Sequence, residues 1–284
     1  MKAGATAGLL LSTIIWGVSF PVVKAALGEM DPFLFVFLRF GIASLVVLCY
    51  SIIFKKDLRK LFRSRILWVL GITNAIGFVM EFYGMTLTTA SKASLLVNVN
   101  VVFMAIFAAH LLNEKMTART IAGILLGLIG VALITTEGDI SRLSGGSVLG
   151  DLIVFLGGIV WAYSNIYNKR AATELGMSPM EVTESMTLIS TLGLMPFLSL
   201  STWTFNISPL AISSIIYLAI VCTIFGFYLF YRALRELTVV NTGIILLFEI
   251  VVAVVIANIF LGEVIPPIGY AGGILIGAGI ILVS

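Results

Sequence analysis

PFLFVFLRFGIASLVVLCYSIIFKKDLRK, residues 32–60, decides the fold class. From Pro32 to Phe54 the only charge is Arg39; Lys55, Lys56, Arg59 and Lys60 then follow almost at once. An apolar block of about 20 residues crosses a bilayer as a helix. It is continuous rather than alternating, and a lipid-exposed strand would leave its backbone groups unpaired. The basic end marks the side that stays in the cytoplasm.

Similar blocks extend in both directions. The first runs from about Ala5 to Leu27 and is too long for a signal-peptide core, with no small-residue cleavage site after it. Beyond residue 60 come Ile66–Leu87, Ala90–Leu112 and Thr120–Thr136, then a Gly/Ser-rich turn, Leu143–Ser147. A sixth block ends near Glu174, followed by Pro179–Leu200, Pro209–Leu234, Thr238–Leu261 and Pro267–Val283. The expected fold is an all-α membrane protein with ten transmembrane helices. Composition agrees: of 284 residues 60% are hydrophobic and 11% charged, where soluble domains carry about a quarter charged. Such a chain is no secreted or cytosolic enzyme, nucleic-acid-binding module or disulfide scaffold. Cys49 and Cys222 both lie in apolar blocks, where they read as small buried hydrophobes.

With the N-terminus inside, the cytoplasmic face collects Lys2, six basic residues from Lys55 to Arg65, Lys115, Arg119, Lys169, Arg170, Arg232 and Arg235. The outer face has Lys92 and Arg142. Both termini are therefore expected in the cytoplasm, with the protein in the cell membrane.

A shift of 149 residues superposes the halves. Gly77-Phe78 falls on Gly226-Phe227, Leu112 on Leu261, Glu114 on Glu263, Ala122-Gly123 on Ala271-Gly272 and Gly130 on Gly279. At a shift of 145, Trp16 meets Trp161, Ser19 meets Ser164 and Lys24 meets Lys169. The units are 1–137 and 146–284. Five spans each is an odd number, so the second unit sits inverted, and such repeats place a substrate site between them near mid-depth.

The chain resembles the EamA family of the drug/metabolite transporter superfamily over essentially its whole length. The resemblance rests on Trp16-Gly17-Val18-Ser19-Phe20, on Arg39, and on Thr89-Ala90-Ser91-Lys92-Ala93-Ser94-Leu95-Leu96. It continues in Leu112-Asn113-Glu114-Lys115, Phe248-Glu249 and Leu261-Gly262-Glu263. It implies a ten-helix carrier exporting small metabolites, often amino acids, through a central cavity between two repeats. Where the family often has proline after the Glu249 position and at its counterpart in span four, this chain has Ile250 and Val101. A kinked helix therefore does not follow from the resemblance.

Ionisable groups deep in lipid are costly, so each is a functional candidate. Glu249 lies about 11 residues into its span, roughly 16 Å along the helix. A carboxyl there can exchange protons, pair with a substrate ammonium, or form a structural ion pair with Arg39. Arg39 in turn can receive a substrate carboxylate or partner an internal acid. Glu81 sits about 9 Å from the outer end of span three. Lys24 and Lys92 read as snorkelling side chains near the outer interface.

In span six Trp161, Ser164, Asn165 and Asn168 share one helix face. Trp16 and Ser19 begin the same pattern in span one. Asn74, Asn98, Tyr228 and Tyr231 complete a set expected to line an amphipathic cavity, since polar side chains would be unpaired against lipid. Gly123-x-x-x-Gly127 and Gly269-x-x-x-Gly273-x-x-x-Gly277 suit close helix approach, within one chain or in a homo-oligomer. No Walker sequence, metal-ligand cluster or Ser/His/Asp set occurs, so no cofactor, metal or nucleic acid is expected and the chain is no enzyme. The Asn206-Ile207-Ser208 sequon matters only in a secretory pathway. The expected function is secondary transport of a small amphipathic metabolite, an amino acid first. Export of a lipophilic cation is one alternative; a lipid-flipping or regulatory membrane subunit is another.

Overall fold

The computed structural model describes residues 2–88, 90–202, 208–261 and 265–283. The side chains of residues 2, 20, 24, 25, 90, 91, 257, 260 and 261 are not described. Thr89, Asn206, Ile207, Gly262 and Glu263 of the sequence motifs therefore lie outside the described residues, as do the side chains of Lys24, Ser91 and Leu261.

Every regular element among the described residues is helical. In chain order they are α1 (Lys2–Leu27), α2 (Pro32–Ile53), the short α3 (Lys60–Arg63), α4 (Arg65–Leu87), α5 (Ala90–Asn98) and α6 (Asn100–Leu111). Next come α7 (Ala118–Thr136), α8 (Val148–Glu174), α9 (Pro179–Leu194), α10 (Pro209–Tyr217) and α11 (Gly226–Leu234), then α12 (Val239–Leu246), α13 (Phe248–Leu261) and α14 (Pro267–Val283). A π-helical stretch, Leu218–Phe225, joins α10 to α11, and 3-10 turns cover Ile140–Leu143 and Met195–Leu200.

Among the described residues, eight helices are long and apolar enough to cross a membrane, and α14 is a shorter apolar helix of 17 residues. The chain is a multi-pass membrane protein. Two of the ten expected spans differ from expectation. α9 has only 16 residues and carries Glu181 and Glu184, and α14 falls short in length. The polar face of α9 is matched by its neighbours. Lys56 Nζ stands 2.7 Å from Glu184 Oε1, Asn74 Nδ2 donates to Ser190 Oγ at 3.0 Å, and the Ser44 and Thr191 hydroxyls are 2.7 Å apart. Such bonds hold helices together where no water competes. Lys92 is likewise paired, its Nζ 2.7 Å from Asp151 Oδ2.

Two expected single helices are broken. The chain pauses at Val99 between α5 and α6, and at Leu247 between α12 and α13. No proline is needed. Val102 N–H turns back to Val99 C=O at 3.0 Å and Ile250 N–H to Leu247 C=O at 3.3 Å, tightening each junction to a three-residue step.

α4 packs on α8 and α9, α1 on α11 and α13, α6 on α8 and α12, and α7 on α14. The last seam is backbone against backbone. A Cβ on Gly130 would stand 2.6 Å from the Gly272 carbonyl oxygen, and one on Gly272 2.6 Å from that of Gly130. Gly279 and Gly123 meet in the same way, at 2.9 Å for a Cβ on Gly279. The seam thus uses glycines seven apart. Of the glycines at four-residue spacing, Gly123 belongs to this seam and Gly127 closes on Leu247, where a Cβ would stand 2.5 Å from Cδ1, whereas Gly273 makes only ordinary contact with Val251 and Gly277 has nothing within 4 Å.

Candidate functional site

The broken helices meet α1, α2, α4, α8 and α11 around a cavity of about 140 Å³. At roughly 15–30 Å³ per water, that is space for some five to ten waters or a small solute.

Two tryptophans frame it. The Trp161 ring lies on Gly77, where a Cβ would come within 3.0 Å of the ring, and meets Phe78 edge-on at 4.8 Å. Its Nε1–H donates to Glu81 Oε2 at 3.0 Å. Trp16 lies on Gly226 in the same manner, with its ring 5.2 Å from Phe227 and 5.6 Å from Phe230. Its Nε1–H donates to the Cys222 carbonyl at 2.9 Å. Both glycines are required because an indole occupies the space of a side chain.

Arg39 is buried beside them. Its guanidinium carbon is 4.7 Å from the Phe78 ring centroid and 5.7 Å from that of Phe40. Its Nε–H donates to Thr223 Oγ1 at 3.0 Å, and that hydroxyl donates in turn to Leu218 C=O at 3.0 Å within the π-helical stretch. A π-helical turn leaves carbonyls off the regular ladder, which is why it can seat such a hydroxyl. Among the described residues Arg39 makes no ion pair, so the pairing with Glu249 considered from sequence is not formed. Among the described residues no carboxylate pairs with its remaining guanidinium donors.

Glu249 opens α13 directly after the break at Leu247. Gly17 allows α1 to touch it: a Cβ there would be 2.6 Å from the Glu249 carbonyl oxygen. The Glu249 carboxylate faces the cavity and, among the described residues, makes no hydrogen bond or ion pair. Glu81, fixed by Trp161, lies within Coulombic range of both Arg39 and Glu249. Among the described residues the cavity is therefore lined by one cation, one tethered acid and one untethered acid between aromatic walls.

Its polar end is internally bonded. Tyr231 OH donates to Asn168 Oδ1 at 2.8 Å, Asn168 Nδ2 to Asn165 Oδ1 at 3.2 Å, and Asn165 Nδ2 to the Trp161 carbonyl at 2.9 Å.

Of the residues picked out from sequence, Trp16, Ser19, Arg39, Glu81, Asn98, Trp161, Asn165, Asn168 and Glu249 line the cavity. Four do not. Asn74 is turned to α9, Ser164 is fully buried beside its lining neighbours, Tyr228 packs in the apolar core, and Tyr231 stands behind Asn168. Sharing a helix face was too coarse a criterion, because only part of each face reaches the cavity. Sequence reasoning missed Phe78, Phe82, Phe227, Phe230 and Asn100 as wall residues. The repeated Gly-Phe pair, Gly77-Phe78 and Gly226-Phe227, carried the signal for two of them. Among the described residues no group of three or more His, Cys, Asp or Glu could hold a metal ion.

A bundle of membrane-crossing helices, broken beside a half-open cavity that mixes charge with aromatic walls, fits the class of membrane transporters. The chain belongs to the EamA-like transporter family, whose model matches it twice, over residues 4–136 and 148–284. It is 28% identical over 97% of its length to an uncharacterized transporter of Archaeoglobus fulgidus, covering 96% of that chain. It is 28% identical over 95% of its length to the "Probable amino-acid metabolite efflux pump" of Salmonella typhimurium, covering 91% of it. A "Probable terminal-alkyne amino-acid exporter" of Streptantibioticus cattleyicolor is 27% identical, over 97% of this chain and 92% of the relative. These relatives are named as transporters or pumps, not as enzymes. One crystal structure superposes with a TM-score of 0.84 over 98% of this chain and 97% of that one, at 18% identity, and so shows the fold alone.

Proposed function

We propose that the protein is a secondary carrier that exports small amphipathic metabolites, amino acids first among them, by alternating access of two inverted five-helix repeats. The observation that carries this is that Arg39 and Glu249, neither in an ion pair among the described residues, both line the cavity framed by Trp16 and Trp161. A zwitterion has one group for each. Its carboxylate docks on the guanidinium fork and its ammonium on Glu249, while its side chain lies on the aromatic walls. The names of two relatives point to the same cargo class.

Several features support the repeats. The family model matches each half. Packing of α1 on α11 has its counterpart in packing of α8 on α4. Trp16 on Gly226 mirrors Trp161 on Gly77, and the Gly123–Gly279 contact maps onto Gly272–Gly130 under the 149-residue shift. With α9 and α14 counted as spans, each half has five and the second is inverted. The distribution of Lys and Arg supports cytoplasmic termini in the cell membrane.

Counterflow of a labelled amino-acid pool into proteoliposomes tests the proposal. Wild type should accumulate label. Glu249→Gln, which keeps shape but loses charge, should lose about tenfold or more, since a charge-assisted hydrogen bond contributes about 1.5–3 kcal/mol. If the wild type takes up no amino acid, or the variant matches it, the zwitterion site is wrong. The excess of two acids over one cation favours a second reading, export of organic cations. Those would then compete for counterflow where zwitterions do not.

A further inference from the structure

We infer that Glu114 and Lys169 form a latch that shuts the cavity on the side of the membrane bearing the chain's N-terminus. They do so by gripping the turn between α11 and α12. The latch presupposes the alternating-access carrier proposed above.

A helix end leaves orphan carbonyls at its C-terminus and orphan N–H groups at its N-terminus, with opposite partial charges. At residues 235–238 one helix ends and the next begins, so both kinds lie within a few residues. Each is met by the matching charge. Lys169 Nζ donates to the carbonyls of Leu234 and Leu237 at 2.5 and 2.7 Å. Glu114 Oε1 accepts from Val239 N–H at 2.8 Å and Oε2 from Val240 N–H at 3.3 Å. Both side chains are half-buried.

Neither charge hangs from a loose loop. Lys169 rides on α8, and Glu114 follows α6 after a left-handed residue, Asn113 (φ 54°), which returns the Glu114 N–H to Ala108 C=O at 3.1 Å. Glu114 comes from the first half of the chain and α12 from the second, so the grip crosses the repeats. It also lies close to the cavity along the chain. Asn168, next to Lys169, lines the cavity and receives Tyr231 of α11. From the gripped end of α12 to the break at Leu247 there are 8 residues, about 12 Å of helix. Releasing the turn frees α12 to swing and carries Leu246 and Glu249 with it.

Thiol accessibility tests this without any cargo, so the outcome is separable from the identity of the substrate. In a background of Cys49→Ser and Cys222→Ala, Leu246→Cys reports on the cavity. A membrane-impermeant maleimide is applied from each face in vesicles of known orientation. Glu114→Gln combined with Lys169→Met should speed labelling from the N-terminal face at least tenfold and leave the other face unchanged or slower. Glu114→Asp, which shortens the reach by one methylene, should give a smaller rise on the same face. Unchanged labelling in folded protein would overturn the latch. Equal acceleration from both faces would overturn it too, by showing that the two residues merely hold the fold together. If the double variant does not assemble, Glu114→Asp decides between the same outcomes.

Discussion

In the zwitterion carrier proposed above, replacing Arg39 with methionine should lower amino-acid counterflow by about a hundredfold while the protein still assembles in the membrane. Methionine fills much of the volume of the arginine stem, so packing against Phe78 is largely kept. The charge and the fork are lost. Two charge-assisted bonds to a substrate carboxylate, each worth about 1.5–3 kcal/mol, account for a change of at least two decades. Lysine at this position keeps the charge but not the planar pair of donors, and should fall between the two. The accompanying measurement is counterflow of an organic cation in the same vesicles. A cation has no carboxylate to place, so its exchange should persist in Arg39→Met. Zwitterion exchange at the wild-type rate would remove Arg39 from the site and leave it as a packing residue above Phe78.

The second large effect is on assembly. Gly130→Val places a branched side chain where a Cβ alone would meet the Gly272 carbonyl oxygen at 2.6 Å. A side chain can rotate away from such a clash, but a helix backbone cannot, so α7 and α14 must separate along their whole seam. Overpacking in a well-packed core costs about 1–3 kcal/mol, and a rigid neighbour puts this case at the upper end or beyond. The folded fraction surviving a mild heat step should drop about tenfold or more. Gly277→Val is the control, since nothing lies within 4 Å of its missing Cβ; its survival should match wild type. If the two variants behave alike, the seam does not hold the bundle.

Much of this architecture is legible in the apolar blocks, because lipid leaves the backbone few choices. α9 is the exception. Its stretch from Pro179 reads as another span, yet Glu184 is tolerable only because Lys56, far away in sequence, reaches it. The breaks at Val99 and Leu247 are equally invisible, as neither site has a proline or glycine. The cavity is half legible. Trp161, Asn165 and Asn168 announce themselves by helical spacing, whereas Phe78 and Phe230 are two of 19 phenylalanines in a membrane chain. The glycine seam is half legible in the same way, since Gly123 stands out by spacing while Gly130, Gly272 and Gly279 do not. Spacing of four is a familiar sign of close helices, but which glycines touch depends on a partner that spacing does not name.

The paired tryptophans have one more consequence. Trp16 and Trp161 sit alike on their glycines, but one indole N–H ends on a backbone carbonyl and the other on the Glu81 carboxylate. A carbonyl offers the same acceptor at every stage of a cycle. A carboxylate changes when a proton or a cation arrives. The seating of Trp161 can therefore answer to charge that enters the cavity through its own bond, whereas the bond that seats Trp16 offers no such handle.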